Sequence, residues 1–311
     1  MSSIIQVRSL SKHFKEIKAV DDLSFSVEKG EIYGFLGQNG AGKSTTIRML
    51  LTLIAPSAGN IELFGMNLQS KRKEILRQVG AVIESPGLYN YLSAYDNISL
   101  FARMSGVRIA KKRLMDQLEL VGLADRAQSK VNTYSQGMKQ RLGIAIALVH
   151  DPSVIMLDEP TNGLDPQGIA DVRNLVLDLG RNQKKTILIS SHLLSEVELI
   201  ASRILIIDKG RKMMEGSVHE LFNPARMMVE IEALDPDAAL KIIHESSWGT
   251  MLQRRQKNQF IFEMNKLSIP QMVSELSEKG VQVLQVQPRH SLEDYFLSLT
   301  TPNQHVESFA N

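Results

Sequence analysis

Apolar and polar positions along the middle of the chain alternate between two kinds of segment. Short apolar runs at residues 154–157, 186–190 and 204–207 are typical of strands, and segments with helical spacing around 167–180 and 193–201 separate them. Parallel strands that are buried on both faces give such continuous apolar runs, because crossover helices cover the sheet. The pattern therefore predicts an α/β core built on a largely parallel sheet.

The first part of the chain has a different pattern. Residues 4–7, 23–27 and 32–36 are strand-like and are joined by turns, and residues 44–54 have the apolar spacing of a helix. Residues from about 94 to 149 then show mainly the apolar spacing of helices. We expect a region of short strands, a helix that follows a glycine-rich loop, and a helical subdomain at about residues 85–149.

A change of composition at Phe222-Asn223-Pro224-Ala225 predicts that residues 1–224 and 225–311 form separate domains. The smaller domain is predicted to contain a strand at 228–231, a helix at 236–245, a hairpin at about 250–264, a helix at 269–279, a strand at 281–286 and a last helix at 292–299. This order is similar to a split β-α-β sandwich of the ferredoxin-like type. For its role, dimer contact, regulation and structural support remain open.

The composition limits the classes of function. The chain of 311 residues carries 36 basic and 34 acidic side chains, and this near balance gives no reason to expect nucleic acid as a partner. The absence of cysteine excludes disulfides and thiolate metal sites. Residues 1–10 lack the features of a signal peptide, and the apolar runs are far shorter than the ~20 residues that span a bilayer. We expect a soluble protein whose membrane role would depend on a partner.

A glycine-rich loop follows the strand at 32–36. The segment Gly37-Gln38-Asn39-Gly40-Ala41-Gly42-Lys43-Ser44-Thr45 fits the pattern G-x-x-x-x-G-K-[ST]. Glycines let the backbone approach phosphate closely, and successive N–H groups at a helix N-terminus attract an anion. In this pattern Lys43 reaches the β- and γ-phosphates, and the Ser44 hydroxyl binds Mg²⁺. An ordinary glycine-rich turn is the alternative, but the strand–loop–helix context favours a nucleotide site.

Two carboxylates end an apolar strand. Asp158 and Glu159 follow the run at 154–157, and adjacent acids at the carboxyl edge of a buried sheet indicate contact with a cation or a substrate. Asp158 suits a Mg²⁺ ion held through water, and Glu159 suits activation of the attacking water as a general base. A pair of solvated acids is the alternative, and the phosphate-binding pattern at 37–45 weighs against it.

Taken in order, these motifs resemble the ABC ATPase family over about residues 1–224. Tyr134-Ser135-Gln136-Gly137-Met138-Lys139-Gln140-Arg141 is similar to the family signature, and Leu164-Asp165 resembles the loop after its acidic strand. His192 stands at the place of the switch histidine, and Phe14 at the place of the aromatic residue that stacks on adenine. Taken alone, His192 would be a structural or solvated histidine, Phe14 a core residue and Ser135 a helix cap.

The resemblance implies a P-loop NTPase fold with a mixed sheet, an antiparallel β subdomain and a helical subdomain, and it implies ATP and Mg²⁺ as ligands. It also implies a homodimer that holds two nucleotides head to tail. Each site would combine Lys43, Ser44, Asp158, Glu159 and His192 of one protomer with Ser135 and Gly137 of the other. ATP would close this dimer and hydrolysis would reopen it.

The same resemblance implies a separate integral-membrane permease, with the ATPase on the cytoplasmic face of the cell membrane. Residues 85–100 would contact the permease, and their Tyr89, Tyr91 and Tyr95 suit a partner pocket. The rival class is a soluble, non-transport ABC ATPase that acts on nucleic acid or the ribosome. Such proteins usually carry two ATPase domains or a long coiled-coil insert, and neither is present in the sequence.

Two departures from the family pattern narrow the resemblance. Glu84 stands where the family usually has a glutamine that contacts Mg²⁺ or the attacking water, and a carboxylate there still suits Mg²⁺. The signature has Gln136 and Met138 in place of its usual second glycine and glutamine. In both respects the sequence is similar to the bacitracin-export and lantibiotic-immunity ATPases. We therefore expect export of a peptide antibiotic, a drug or another amphipathic compound.

Overall fold

The computed structural model describes residues 3–84, 86–221 and 227–289. Their packing divides the chain into two compact units, Met1–Gly216 and Ser217–Asn311. The domain boundary predicted at 224/225 and the helix predicted at 292–299 lie outside the described residues. Within the described ranges no helix is long and apolar enough to cross a membrane.

The strands up to residue 217 are, in chain order, β1 (Ser3–Phe14), β2 (Ile17–Glu28), β3 (Ile32–Leu36), β4 (Ala58–Leu63), β5 (Met66–Asn67), β6 (Val79–Val82), β7 (Val154–Asp158), β8 (Thr186–Ser191), β9 (Arg203–Asp208) and β10 (Arg211–Ser217). The helices up to residue 221 are α1 (Lys43–Leu50), α2 (Arg72–Leu76), α3 (Ala94–Met104), α4 (Lys111–Leu120), α5 (Gln136–Leu148), α6 (Pro166–Arg181), α7 (Leu194–Ile200) and α8 (Val218–Leu221).

Two sheets organise the first unit. A six-stranded sheet has the order β10-β9-β3-β8-β7-β6, and its neighbours from β9 to β6 pair in parallel. A four-stranded sheet has the order β2-β1-β4-β5, and its neighbours pair antiparallel. The α/β fold with a mixed sheet core and an antiparallel β region is therefore confirmed, and the apolar runs of the sequence are the strands of the parallel sheet.

Strand β7 contributes to a hydrophobic core on each of its faces. Val154 and Met156 pack in the core shared with the antiparallel sheet and α1. Ile155 and Leu157 pack in the core formed with helices α3 to α6. Successive side chains of a strand point to opposite faces, so a strand that is apolar at every position is buried on both. The chain therefore reaches Asp158 along a strand with no solvent-exposed face.

Helix α1 ends earlier than its apolar spacing predicts. The prediction was 44–54, whereas α1 stops at Leu50. Thr52 has a φ of 57°, which is the left-handed conformation that closes many helices, and the N–H of Leu53 donates back to the Arg48 carbonyl at 2.9 Å. The apolar residues beyond Leu50 belong to the turn that closes the helix.

The second unit contains β11 (Met227–Ala233), α9 (Pro236–Glu245), β12 (Leu252–Gln256), β13 (Gln259–Met264), α10 (Ile269–Glu278) and β14 (Val283–Arg289). Its strands form an antiparallel sheet in the order β12-β13-β11-β14. The order of elements is strand–helix–strand–strand–helix–strand, which is the connectivity of a split β-α-β unit. Side chains such as Phe260, Phe262 and Trp248 give this unit a hydrophobic core of its own.

Candidate nucleotide-binding site

The predicted site residues meet at one edge of the parallel sheet. The loop at 37–45 follows β3, Asp158 ends β7, and His192 follows β8. Strand β8 lies between β3 and β7 in the sheet, so the carboxyl ends of these three neighbours point to the same edge. Ligands of open α/β sheets bind at this edge.

The loop at 37–45 is shaped by glycines that lie close to other backbone segments. A Cβ atom on Gly37 would stand 2.6 Å from the Ile207 carbonyl oxygen. One on Gly42, whose φ is 107°, would stand 2.5 Å from the Ala19 carbonyl oxygen. Any side chain at either position would therefore displace backbone. Gly42 caps α1 without a side-chain hydrogen bond to the first turn, so the start of this helix suits an anion.

The remaining loop residues differ in exposure. Asn39 and Gly40 form the exposed tip, Ala41 is buried, and Ser44 and Thr45 are partly buried in the first turn of α1. The next residue was missed by the sequence analysis. Thr46 is fully buried, and its Oγ1 donates to the Gly42 carbonyl at 2.9 Å, which fixes the junction of loop and helix. The sequence signal for it is that Thr46 is the third hydroxyl residue in a row after Lys43.

Lys43 makes three contacts at the centre of the site. Its ammonium Nζ donates to the Gly37 carbonyl at 2.6 Å and to the Gln38 carbonyl at 3.2 Å. It also lies 2.9 Å from Oε1 of Glu159. The lysine is only 5% exposed, so its charge interacts with this carboxylate in a region of reduced dielectric. The structure thus joins the phosphate-binding loop to the acidic strand end.

Asp158 has one carboxylate oxygen engaged and one open. Its Oδ1 accepts from the Ser190 hydroxyl at 2.6 Å. Its Oδ2 is buried and has no hydrogen-bond partner in the part of the chain that the structure describes. A buried carboxylate oxygen without a partner is unfavourable unless a ligand, an ion or a water molecule meets it. Ser190 was missed by the sequence analysis, although it is a polar residue near the end of a neighbouring apolar strand.

The Glu159 carboxylate contacts the side chains of both Lys43 and His192. Besides the Lys43 contact, its Oε2 lies 2.8 Å from Nδ1 of His192. The Glu159 N–H donates to the Ser190 hydroxyl at 2.9 Å, and its φ of 49° turns the chain away from the line of β7. The acid and the histidine that the motif order predicts together are therefore in direct contact.

Glu84 follows the strand next to β7, but its side chain contacts Arg48 and not the residues around Glu159. It follows β6, whose Val82 pairs with Leu157 of β7. Its side chain is 66% exposed and forms an ion pair with Arg48 of α1. In the described ranges no hydrogen bond or ion pair joins it to Asp158 or Glu159. The sequence analysis missed Arg48 as its partner, because nothing local relates a helix residue to a loop 36 positions away.

The signature segment lies at the start of α5. Ser135 caps this helix by accepting from the Met138 N–H at 3.2 Å, and Asp165 caps α6 by accepting from the Gly168 N–H at 2.9 Å. A Cβ atom on Gly137 would lie 3.5 Å from the Cα of Gly168, so the two helix starts are neighbours. In the described ranges neither Ser135 nor Asp165 has a hydrogen bond to Lys43 or Glu159 of its own chain.

Two aromatic residues flank the motifs in different ways. Tyr134, just before Ser135, is buried and donates from its hydroxyl to the Arg126 carbonyl at 2.6 Å; this burial raises the pKa of Tyr134. Phe14 is 46% exposed at the end of β1, opposite Ile17, and the Lys12 ammonium lies 4.9 Å from its ring centre. Phe14 is therefore not a core residue, and its ring is open to a planar group.

Three features together define a P-loop nucleotide-binding ATPase: the strand–loop–helix phosphate pattern, the two adjacent acids at the end of β7, and the histidine in contact with the second acid. A profile of the ABC transporter family matches residues 20–162. The bacitracin transport ATP-binding protein BcrA of Bacillus licheniformis is 42% identical over 302 residues, which is 96% of this chain and 98% of that protein. The chain therefore belongs to the ATP-binding proteins of the ABC transporter family.

Two further comparisons agree. The lantibiotic transport ATP-binding protein SrtF of Streptococcus pyogenes is 40% identical over 226 residues, covering 71% of this chain and 96% of that protein. A solved ATP-binding subunit of an ABC transporter is 30% identical, with a TM-score of 0.63 over 70% of this chain and 92% of that structure. The family resemblance and the expectation of an ATP-binding ATPase are thus confirmed.

Proposed function

We propose that the chain binds Mg²⁺·ATP at residues 37–45 and hydrolyses it to power a separate membrane permease. The observation that carries the proposal is the contact of Glu159 with both Lys43 and His192, at 2.9 Å and 2.8 Å. A carboxylate between a phosphate-binding lysine and a histidine would be able to take the proton of a water molecule that attacks the γ-phosphate. The structure therefore supports hydrolysis as well as nucleotide binding.

The donor set suits a magnesium ion. Mg²⁺ prefers oxygen ligands and usually takes one or two carboxylates together with substrate phosphates and water. Ser44, at the start of α1, and the open Oδ2 of Asp158 supply such oxygens. When bound, Mg²⁺ would neutralise charge on the β- and γ-phosphates. Glu84 is a third candidate oxygen donor, and reaching the ion would require it to leave Arg48.

Each chain residue has a proposed role toward the nucleotide. Lys43 would bind the β- and γ-phosphates, Glu159 would take the proton of the attacking water, and His192 would hold Glu159 and the γ-phosphate. Phe14 would stack on adenine. Backbone N–H groups of the loop would surround the phosphates, and we assign Gly37, Asn39, Gly40, Ala41, Gly42 and Thr45 to this part of the site.

A second copy of the chain would complete the site. Ser135, Gly137 and Asp165 lie at two neighbouring helix starts that make no hydrogen bond to the Lys43 cluster of their own chain in the described ranges. Helix starts attract anions, so those of one protomer would meet the γ-phosphate held by its partner. We therefore propose a homodimer in which two nucleotides lie between the protomers.

The permease would bind the segment before and within α3. Tyr91 is 69% exposed, and Tyr89 packs edge-on against it with ring centres 6.0 Å apart. The buried Asn97 fixes this segment, because its side chain bonds to the N–H and carbonyl of Tyr89 and to the carbonyl of Ser93. Ser85, the first residue of the predicted contact segment, lies outside the described residues. Docking there would place the ATPase on the cytoplasmic face of the membrane.

For the transported compound we propose a peptide antibiotic or another amphipathic molecule. The support is the similarity to ATP-binding proteins named for bacitracin and lantibiotic transport. A non-transport ATPase acting on nucleic acid or the ribosome is not favoured by these relatives. Residues 225–311 would form an accessory or regulatory domain in addition to the ATPase domain at 1–224.

Coupling can be tested at the proposed permease contact. Tyr91→Glu should leave the ATP turnover of the purified chain within about twofold, since Tyr91 is exposed and, in the described ranges, no hydrogen bond or ion pair joins it to Lys43 or Glu159. In cells that also produce the permease, the variant should lose bacitracin or lantibiotic resistance, because a charge replaces a ring in an apolar contact. Leu267→Glu, which puts the same charge at a side chain that is 86% exposed, is the matched control. Resistance retained in Tyr91→Glu argues against this contact, and tight ribosome or DNA binding without membrane association argues against transport.

Glu84→Gln should retain ATP turnover within roughly threefold. The Arg48–Glu84 pair is exposed, and exposed ion pairs contribute little free energy. The amide also restores the family's usual residue. Steady-state ATP hydrolysis by the purified protein measures the effect, and Glu62→Gln, at a partly buried glutamate of β4, controls for loss of a carboxylate elsewhere. Complete loss of turnover would instead make Glu84 an essential catalytic acid.

A further inference from the structure

One more hydrogen bond joins the two loops that carry Glu159 and His192. The hydroxyl Oγ1 of Thr161 donates to Oε2 of Glu196. Thr161 lies two residues after Glu159, and Glu196 lies in the first turn of α7, four residues after His192. The bond therefore connects the segment that follows β7 to the segment that follows β8.

This hydrogen bond lies just beyond the point where the backbone pairing of β7 with β8 ends. Backbone pairing of β7 with β8 ends at Asp158 and Ser190. Beyond that pair, side chains connect the two segments. Glu159 also holds a left-handed backbone conformation, which is uncommon for a residue with a side chain and persists where the surroundings fix it. Bonds to the following residues are therefore part of what places the Glu159 carboxylate.

The surroundings shield the bond from water in part, since Thr161 and Glu196 are both partly buried. Thr161 and Glu196 line a cavity of about 10 Å³ together with apolar side chains that include Val172, Val176 and Ile189. Such a space is about the size of one water molecule. A hydrogen bond to a carboxylate is stronger than one between neutral groups, so loss of either partner weakens the link between the two segments.

We propose that Glu196 is a positioning residue for ATP hydrolysis. By accepting the Thr161 hydroxyl, it fixes α7 against the loop after β7 and so sets the separation of Glu159 from His192. Glu196 would contact neither the phosphates nor the attacking water. It would act by positioning the segments that carry Glu159 and His192. The inference rests on the proposed hydrolytic role of Glu159 and His192.

The test measures steady-state ATP hydrolysis by the full chain. Glu196→Ala and Thr161→Val should each lower kcat about tenfold and leave the KM for ATP within about twofold, because the nucleotide contacts at 37–45 are unchanged. The double variant should be no slower than either single variant, since both remove one bond. Glu196→Gln and Thr161→Ser keep an acceptor and a donor, and each should retain at least about half of the wild-type kcat.

Controls separate positioning from folding. Glu198→Ala removes a partly buried glutamate of the same helix that has no hydrogen bond or ion pair in the described ranges, and it should hydrolyse ATP at the wild-type rate. Additive losses in the double variant, or a lower Tm with unchanged kcat in Glu196→Ala, would overturn the proposal. So would a failure of Glu196→Gln and Thr161→Ser to restore kcat. A wild-type chain that binds ATP but hydrolyses none, with or without permease, would refute the proposed function itself.

Discussion

Replacing Glu159 with glutamine should lower ATP turnover by at least about a hundredfold while ATP binding is retained. A general base in position contributes roughly a hundred- to ten-thousandfold to a rate, and an amide cannot take the proton. Glutamine keeps the shape of the side chain, and its single amide oxygen can still accept from one of the two neighbours, Lys43 or His192. The phosphate contacts at 37–45 are untouched. ATP affinity should therefore stay within about threefold of the wild-type value.

The same variant tests the proposed dimer. When ATP binds but is not hydrolysed, the interface made by Ser135, Gly137 and Asp165 of each partner should stay closed. Size-exclusion chromatography with Mg²⁺·ATP should then show Glu159→Gln as a dimer, whereas ADP should give a monomer. Glu119→Gln, at an exposed glutamate of α4, is the matched control and should behave as wild type. A Glu159→Gln chain that remains monomeric with ATP contradicts the sandwich of nucleotides between protomers.

Replacing Lys43 with alanine should weaken ATP binding by roughly a hundredfold or more. Charge-assisted hydrogen bonds contribute about 1.5–3 kcal/mol each, and two such bonds to phosphate correspond to a factor of this size. The change has a second effect. The Glu159 carboxylate, whose side chain is 15% exposed, loses its ammonium partner, and an unpaired acid close to the phosphates repels them.

Fluorescence titration with a labelled nucleotide measures this loss, and thermal unfolding checks that the variant folds. Lys71→Ala is the matched control, since Lys71 is an exposed lysine whose ion pair with Glu74 lies on the surface of α2. Combining Lys43→Ala with Glu159→Gln separates the two effects, because the glutamine removes the unpaired charge. The double variant should recover part of the affinity. Lys43→Ala with wild-type ATP affinity would remove the loop at 37–45 from the nucleotide site.

Much of the fold and of the site's centre follows from local pattern. The runs at 154–157 and 186–190 could be assigned to parallel strands because burial on both faces makes their central positions apolar. The phosphate pattern and the acidic strand end placed Lys43 and Glu159 at the carboxyl edge of the sheet, whereas His192 was assigned to the site by the resemblance to the ABC ATPase family. These residues are indeed in contact.

The missed residues share a physical cause. Ser190, Arg48 and Asn97 act through partners that are far away in sequence or through backbone atoms of a loop, and neither leaves a periodic trace. The early end of α1 was hidden for another reason. Threonine rarely adopts positive φ, so the chain around Thr52 looks like a continuing helix until tertiary packing decides its conformation.

Strand β7 places alternate residues in the two cores of the first unit. This burial limits which residues of the nucleotide site can move. The amide hydrogens of a strand buried on both faces exchange with solvent only when its whole cooperative unit opens. We therefore expect the amides of the strand that ends at Asp158 to exchange slowly. The opening and closing that accompany each turnover would then be carried by other segments of the chain, while the acid that ends β7 stays in place relative to them.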